Sequence, residues 1–127
     1  MKPQARLDGK YVGKKITATA NNVPVFILKE DETTIYYSPV FDISGYGYSD
    51  KEAKESLITA LNEFFRYTIN KKTYENELIK LGWKSAKKKR FTPPSMTQLI
   101  KDRDYLAEIM DKHDFTKSSL AVEIPEA

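Results

Sequence analysis

The chain is 127 residues long, 40% hydrophobic and 31% charged, which suits one globular domain, or one with a small appendage, needing no metal or disulfide staple. It holds no cysteine and one histidine, His113, which excludes disulfides, thiol chemistry and most zinc constellations, and leaves no ordinary Ser-His-Asp site away from His113. The net charge of +3 is uneven: residues 66–103 carry 11 Lys/Arg against 3 Asp/Glu, a balance of +8, and the remainder stands at −5.

The opening MKPQARLDGKYVGKK lacks the continuous apolar core of a signal peptide, and residues 1–12 show no period. No run of about 18 apolar residues occurs, so nothing predicts a membrane span and the expected location is the cytoplasm. From Lys14 to Asn21, Ile16, Ala18 and Ala20 alternate with Lys15, Thr17 and Thr19, the period of a half-buried strand. Asn21-Asn22 predicts a turn, because asparagine tolerates positive φ. Pro24 to Leu28 (PVFIL) predicts a second strand, KEDE a charged hairpin tip, and Thr33 to Val40 a third strand rich in β-branched and tyrosine residues. Three strands joined by two tight connections favour an antiparallel meander.

Pro39 closes that strand, and FDISGYGYSD predicts a loop in which Gly45 and Gly47 take conformations closed to other residues. A helix follows from Asp50 to Ile69. Ser49 and Glu52 fit a capping box, and Tyr48 stands where a hydrophobic staple would meet Ala53. Ala53, Leu57, Ala60, Leu61 and Phe64 mark its apolar face. Thr73 predicts the cap of a shorter helix carrying Leu78 and Leu81, which Gly82 ends. The stretch WKSAKKKRFTPPS predicts an extended connection. Ser95 and Gln98 repeat the capping pattern before Met96, Leu99 and Ile100, and Tyr105, Leu106, Ile109 and Met110 supply a further face after a break at Asp104. Leu120 to Ile124 predicts a short final strand. The expected fold is α+β: a three-stranded antiparallel sheet packed by one long helix, with residues 1–72 as the core and residues 73–127 as a helical C-terminal extension packed on the same domain and ending in a short strand.

Five features bear on chemistry. Trp83, Lys84, Lys87, Lys88, Lys89, Arg90 and Phe91 combine five cations with two flanking aromatics, a composition that neutralises phosphates and stacks on unpaired bases, or else a solvated surface with both aromatics in the core. Tyr36, Tyr37, Tyr46 and Tyr48 cluster around the strand exit, and tyrosine clusters suit protein interfaces as well as the rim of a small core. The two glycines before a helix lack the Gly-Lys-Ser/Thr of a phosphate loop and the full dinucleotide fingerprint, so a structural turn is expected. Asp42, Asp50, Glu52 and Glu55 are carboxylates of the kind that hold catalytic metals, yet capping already accounts for Glu52 and Glu55 falls on the solvent face. His113 in DKHDF is expected at the surface near a helix end. No cofactor, metal site or enzyme activity is expected.

At YYSPVFDISGYGYSDKEAKESLITALNEFF the chain resembles the HicB-like antitoxin family, through Tyr36-Tyr37, Pro39, Gly45, Ser49-Asp50 and Glu52-Ala53. The resemblance covers roughly residues 14–69. It implies a reduced ribonuclease-H-like β-β-β-α-β fold and a non-catalytic domain that holds a small partner protein, such as an RNA-cleaving toxin. The chain departs from the family's usual Pro-Asp-Leu-Pro-Gly-Cys by reading Pro-Val-Phe-Asp-Ile-Ser-Gly-Tyr, and its tail from Thr73 matches neither a ribbon-helix-helix nor a helix-turn-helix pattern. The expectation is protein binding through the tyrosine region, with nucleic-acid binding by residues 83–91 as the alternative and self-association left open.

Overall fold

The computed structural model of the chain describes residues 16–85 and 91–125. Strands β1 (Ile16–Glu30), β2 (Thr33–Ser38) and β3 (Ile43–Gly47) lead into helix α1 (Asp50–Asn70). Helix α2 (Tyr74–Lys80), the two-residue strands β4 (Lys84–Ser85) and β5 (Phe91–Thr92), helices α3 (Met96–Asp102) and α4 (Asp104–Lys112), and strand β6 (Phe115–Pro125) complete the chain. The fold is α+β, and its main sheet is antiparallel with the order β3-β2-β1-β6.

Three expectations about the strands are corrected. The first two predicted strands are one, β1, in which Asn21-Asn22 is not a turn. Ala20 pairs with Val122 and Val23 with Leu120, so the two asparagines oppose Ala121 alone and form a β-bulge. Asparagine's ease in unusual backbone conformations serves a bulge as well as a turn. Part of the predicted loop FDISGYGYSD is strand β3, with Tyr36 opposite Gly45 and Thr34 opposite Gly47. The final strand is 11 residues long rather than short, and it lies beside β1 in the main sheet. It also does not follow α1 directly. A strand returning straight from α1 would run parallel to β1; three further helices intervene, and β6 enters antiparallel.

The register assigns the two faces of the sheet. Val25, Tyr36 and Gly45 share the face beneath α1, and Phe26, Leu28, Ile35 and Tyr37 share the other. On that second face Tyr105 of α4 meets Tyr37 edge-on with ring centroids 4.8 Å apart, and Leu106 and Ile109 are fully buried. β2 is therefore covered on both sides, which is why its buried residues run consecutively instead of alternating.

Helix α1 starts as its sequence dictates: Ser49 Oγ accepts from Glu52 N at 3.1 Å. Glu52 Oε1 reaches one residue further back than a standard capping box and accepts from Tyr48 N at 2.8 Å. The buried stripe is Ala53, Leu57, Leu61, Phe65, Thr68 and Ile69, so Phe65, not Phe64, holds the core position, and Phe64 packs at the margin. The stripe can approach the sheet closely because β3 presents glycines. A Cβ on Gly45 would lie 2.2 Å from Leu57 N and 2.5 Å from Ala53 O, and one on Gly47 would lie 2.6 Å from Ala53 N. These glycines serve close packing of helix on strand, not the special turn expected of them. Gly82 does use its freedom, at φ 98°: Gly82 N donates to Ile79 O and Trp83 N to Leu78 O, the paired bonds of a Schellman stop.

Candidate functional site

In the region from Pro39 to Ser56, where β2 turns into β3 and β3 into α1, side chains from distant parts of the chain bond to the backbone. The turn itself is clasped from the C-terminal half of the chain. Trp83 Nε1 donates to Val40 O at 2.8 Å, Arg103 Nε donates to Pro39 O at 2.9 Å, and an Arg103 Nη donates to Leu81 O at 2.5 Å. Arg103 is buried in the extended residue between α3 and α4, and those carbonyls replace the water its guanidinium has lost. Tyr37 Oη donates to Asp42 Oδ1 at 2.6 Å, and Asp42 takes a positive φ of 56° at the entry to β3. Burial pushes the Tyr37 hydroxyl well above the usual tyrosine range, and the Asp42 bond pushes it further, so Tyr37 is a neutral donor. Burial likewise raises Tyr36, helped by the Asp50 charge.

The predicted tyrosine cluster divides. Tyr36 is 8% and Tyr37 1% exposed, and they point to opposite faces of the sheet, so both are core residues and neither can meet a partner. Tyr46 and Tyr48 are 57% and 82% exposed. Tyr48 therefore makes no staple on Ala53, which α1 buries against β3. The backbone that carries the two exposed rings is fixed: Tyr46 N donates to Ser56 Oγ at 3.1 Å, and Tyr48 N is held by Glu52. Burial raises the hydroxyl pKa of Tyr105, half-buried on α4, and the nearby Glu30 charge raises it further.

The basic segment is corrected at its aromatic ends. Trp83 is 2% exposed, with its ring centroid 5.1 Å from that of Phe41, and Phe91 is half-buried, 5.5 Å from Tyr74. Neither ring is free to stack on a base. Lys84 is exposed and pairs with Thr92 across β4 and β5; Lys87, Lys88, Lys89 and Arg90 lie outside the described residues.

The carboxylates weighed as a metal site are spread among other partners: Asp42 with Tyr37, and Glu52 with the α1 cap. Among the described residues no group of three or more His, Asp or Glu side chains is placed to hold a metal ion. His113 caps α4 with its side chain partly exposed, 3.8 Å from Glu108. One open concavity of about 580 Å³ has an apolar wall that includes Val23, Pro24, Val40, Pro94, Met96 and Leu99, and Lys117, Ser118 and Ser119 of β6 supply its polar side. A second, of about 590 Å³, is lined by Ile27, Lys29, Asp50, Lys112, His113 and Phe115. No helix among the described residues is long and apolar enough to cross a membrane.

Sequence reasoning missed Arg103, which it counted only as one more cation in a basic stretch. The available signal was its place: a lone arginine between two apolar helical repeats, Leu99-Ile100 and Tyr105-Leu106. No protein-family model, curated protein or solved structure matches the chain.

Proposed function

We propose that this chain is a non-enzymatic protein-binding domain that holds a small partner through Tyr46 and Tyr48, in the manner of an HicB-like antitoxin. One observation carries the reading: two large aromatic side chains stand in solvent on a strand-to-helix joint whose backbone is already locked by Ser49, Glu52 and Ser56. Exposed tyrosines on a rigid support offer contact area with little ordering left to do on binding. The HicB-like reading adds the class of partner, a small RNA-cleaving toxin. Its support is that Tyr36-Tyr37, Pro39, Gly45, Ser49 and Glu52-Ala53 all fall in one continuous β2-β3-α1 unit.

The test is co-purification with the product of the neighbouring reading frame, then affinity measurement on the double variant Tyr46→Ala/Tyr48→Ala. At least a tenfold loss of affinity with an unchanged melting temperature is expected, because hot-spot tyrosines contribute about 2 kcal/mol each to binding and exposed ones little to folding. Unchanged affinity for the captured partner overturns the assignment of the surface. Failure to retain any small protein overturns the antitoxin reading.

A further inference from the structure

We propose that β6 pairs antiparallel with β6 of a second copy, about a two-fold axis at Leu120, joining the two main sheets edge to edge. This surface lies at the opposite end of the sheet from Tyr46 and does not depend on the function proposed above.

The argument begins at Pro24, which stands opposite Ser119 in the β1–β6 ladder. Proline has no N–H to give, so this is a non-bonded pair of the ladder, and Ser119 turns its own N–H and C=O away from β1. By alternation Lys117, Ala121 and Glu123 do the same. Among the described residues no hydrogen bond reaches these outward groups, and Phe115 to Ser118 are exposed.

An edge of this kind accepts another strand unless something forbids it. The usual safeguard is an isolated lysine, and Lys117 would be one if it stood alone. It does not: the only other charge in β6 is Glu123, and both lie three residues from Leu120. In antiparallel pairing, outward residues must meet outward residues, so the paired numbers are both odd. Of the registers that allow this, the one centred on Leu120 places Lys117 opposite Glu123 of the second copy, twice over by symmetry. Shifting by two residues leaves each charge facing an uncharged residue. A shift of four does the same, and a shift of six sets lysine against lysine or glutamate against glutamate. The charge pattern of this edge is complementary to itself, which selects a second copy as its occupant.

The test is sedimentation equilibrium over a micromolar to millimolar concentration series, on the full chain and on Lys117→Glu, Glu123→Lys and the double exchange. Dimerisation of the native chain is expected. Each single reversal weakens it about tenfold, because two attractive cross-strand pairs become two repulsive ones. The double exchange restores it, and so does mixing the two single variants, since each then presents the charge the other needs. A circular dichroism spectrum identical across the set shows that the variants fold. A native chain that stays monomeric throughout the series overturns the proposal, as does a dimer indifferent to both single reversals. Single variants that remain weak when mixed overturn the register.

Discussion

At the β3 edge of the sheet, the outward N–H of Tyr46 is taken by Ser56 and the next free N–H, that of Tyr48, by Glu52. Both acceptors come from the first two turns of α1, which lies so close to β3 that Gly45 and Gly47 have no room for a Cβ. Among the described residues no helix plays this part at the β6 edge, where Phe115 to Ser118 are exposed. The difference shows how one sheet can keep a closed margin and an open one. Closure needs side-chain acceptors at helical spacing, glycine on the strand, and a turn that fixes the strand's angle. Trp83 and Arg103 supply the last of these by holding the carbonyls of Val40 and Pro39. The exposed rings of Tyr46 and Tyr48 then stand on the closed margin, where backbone pairing with a partner strand is already forestalled and contact falls to side chains.

The sharpest way to break the closed edge is to widen it. Gly45→Val places a branched side chain where even a Cβ meets two backbone groups of α1 within 2.5 Å, and backbone cannot give way as a side-chain tip can. A loss of about 3 kcal/mol or more is expected in denaturant unfolding. A loss under about 1 kcal/mol would mean that α1 can lift from β3 freely, and the contrast between the edges would fail.

The next test removes the clasp on the turn. Arg103→Met keeps the apolar stem and deletes the bonds to the buried Pro39 O, which is left with the longer 3.3 Å bond from Asp42 N, and to the half-buried Leu81 O. Stability should fall by about 2–3 kcal/mol, since bonds to a charged donor are strong but its own burial is costly. Arg103→Lys, with a single point of charge and no fork, should recover only part of this. A smaller effect belongs to Ser49→Ala, which removes the cap oxygen held by Glu52 N and should lower stability by about 1 kcal/mol. Its larger consequence is local: amide exchange at Tyr48 and Glu52 should accelerate relative to the centre of α1.

These parts of the molecule were not equally legible in the sequence. The cap of α1 was readable because its rule is local, with Ser49 and Glu52 three residues apart and an apolar stripe beginning at Ala53. The stop at Gly82 was readable for the same reason, and the break expected at Asp104 falls one residue earlier, at Arg103. β3 was not, because ISGYG has neither bulk nor clear alternation, and its value lies in what Gly45 and Gly47 omit, which only the approach of α1 reveals. Phe115 to Ser119 was missed because an edge strand wet on both sides need not alternate. Asn21-Asn22 misled because a bulge and a turn ask the same of asparagine, and the choice depends on a partner strand about a hundred residues away. Trp83 and Phe91 looked like stacking rings beside lysines. Trp83 is committed to the core by a bond to Val40, 43 residues earlier, and no local pattern records that.

The smallest expected effect is the one that most directly tests the open edge. Lys117→Ala removes an exposed side chain from a residue whose own N–H and C=O point away from β1, so its folding free energy, measured in dilute protein, should change by no more than about 0.5 kcal/mol. That near-neutrality contrasts with Gly45→Val at the other margin and follows from the same sheet. The concentration dependence of the melting temperature should change more than the dilute value does, because a subunit that pairs through β6 gains stability by mass action and loses part of it with the lysine. If Lys117→Ala instead lowered dilute stability by a kilocalorie or more, the side chain would have to be packed within its own chain. The β6 edge would then be as closed as β3.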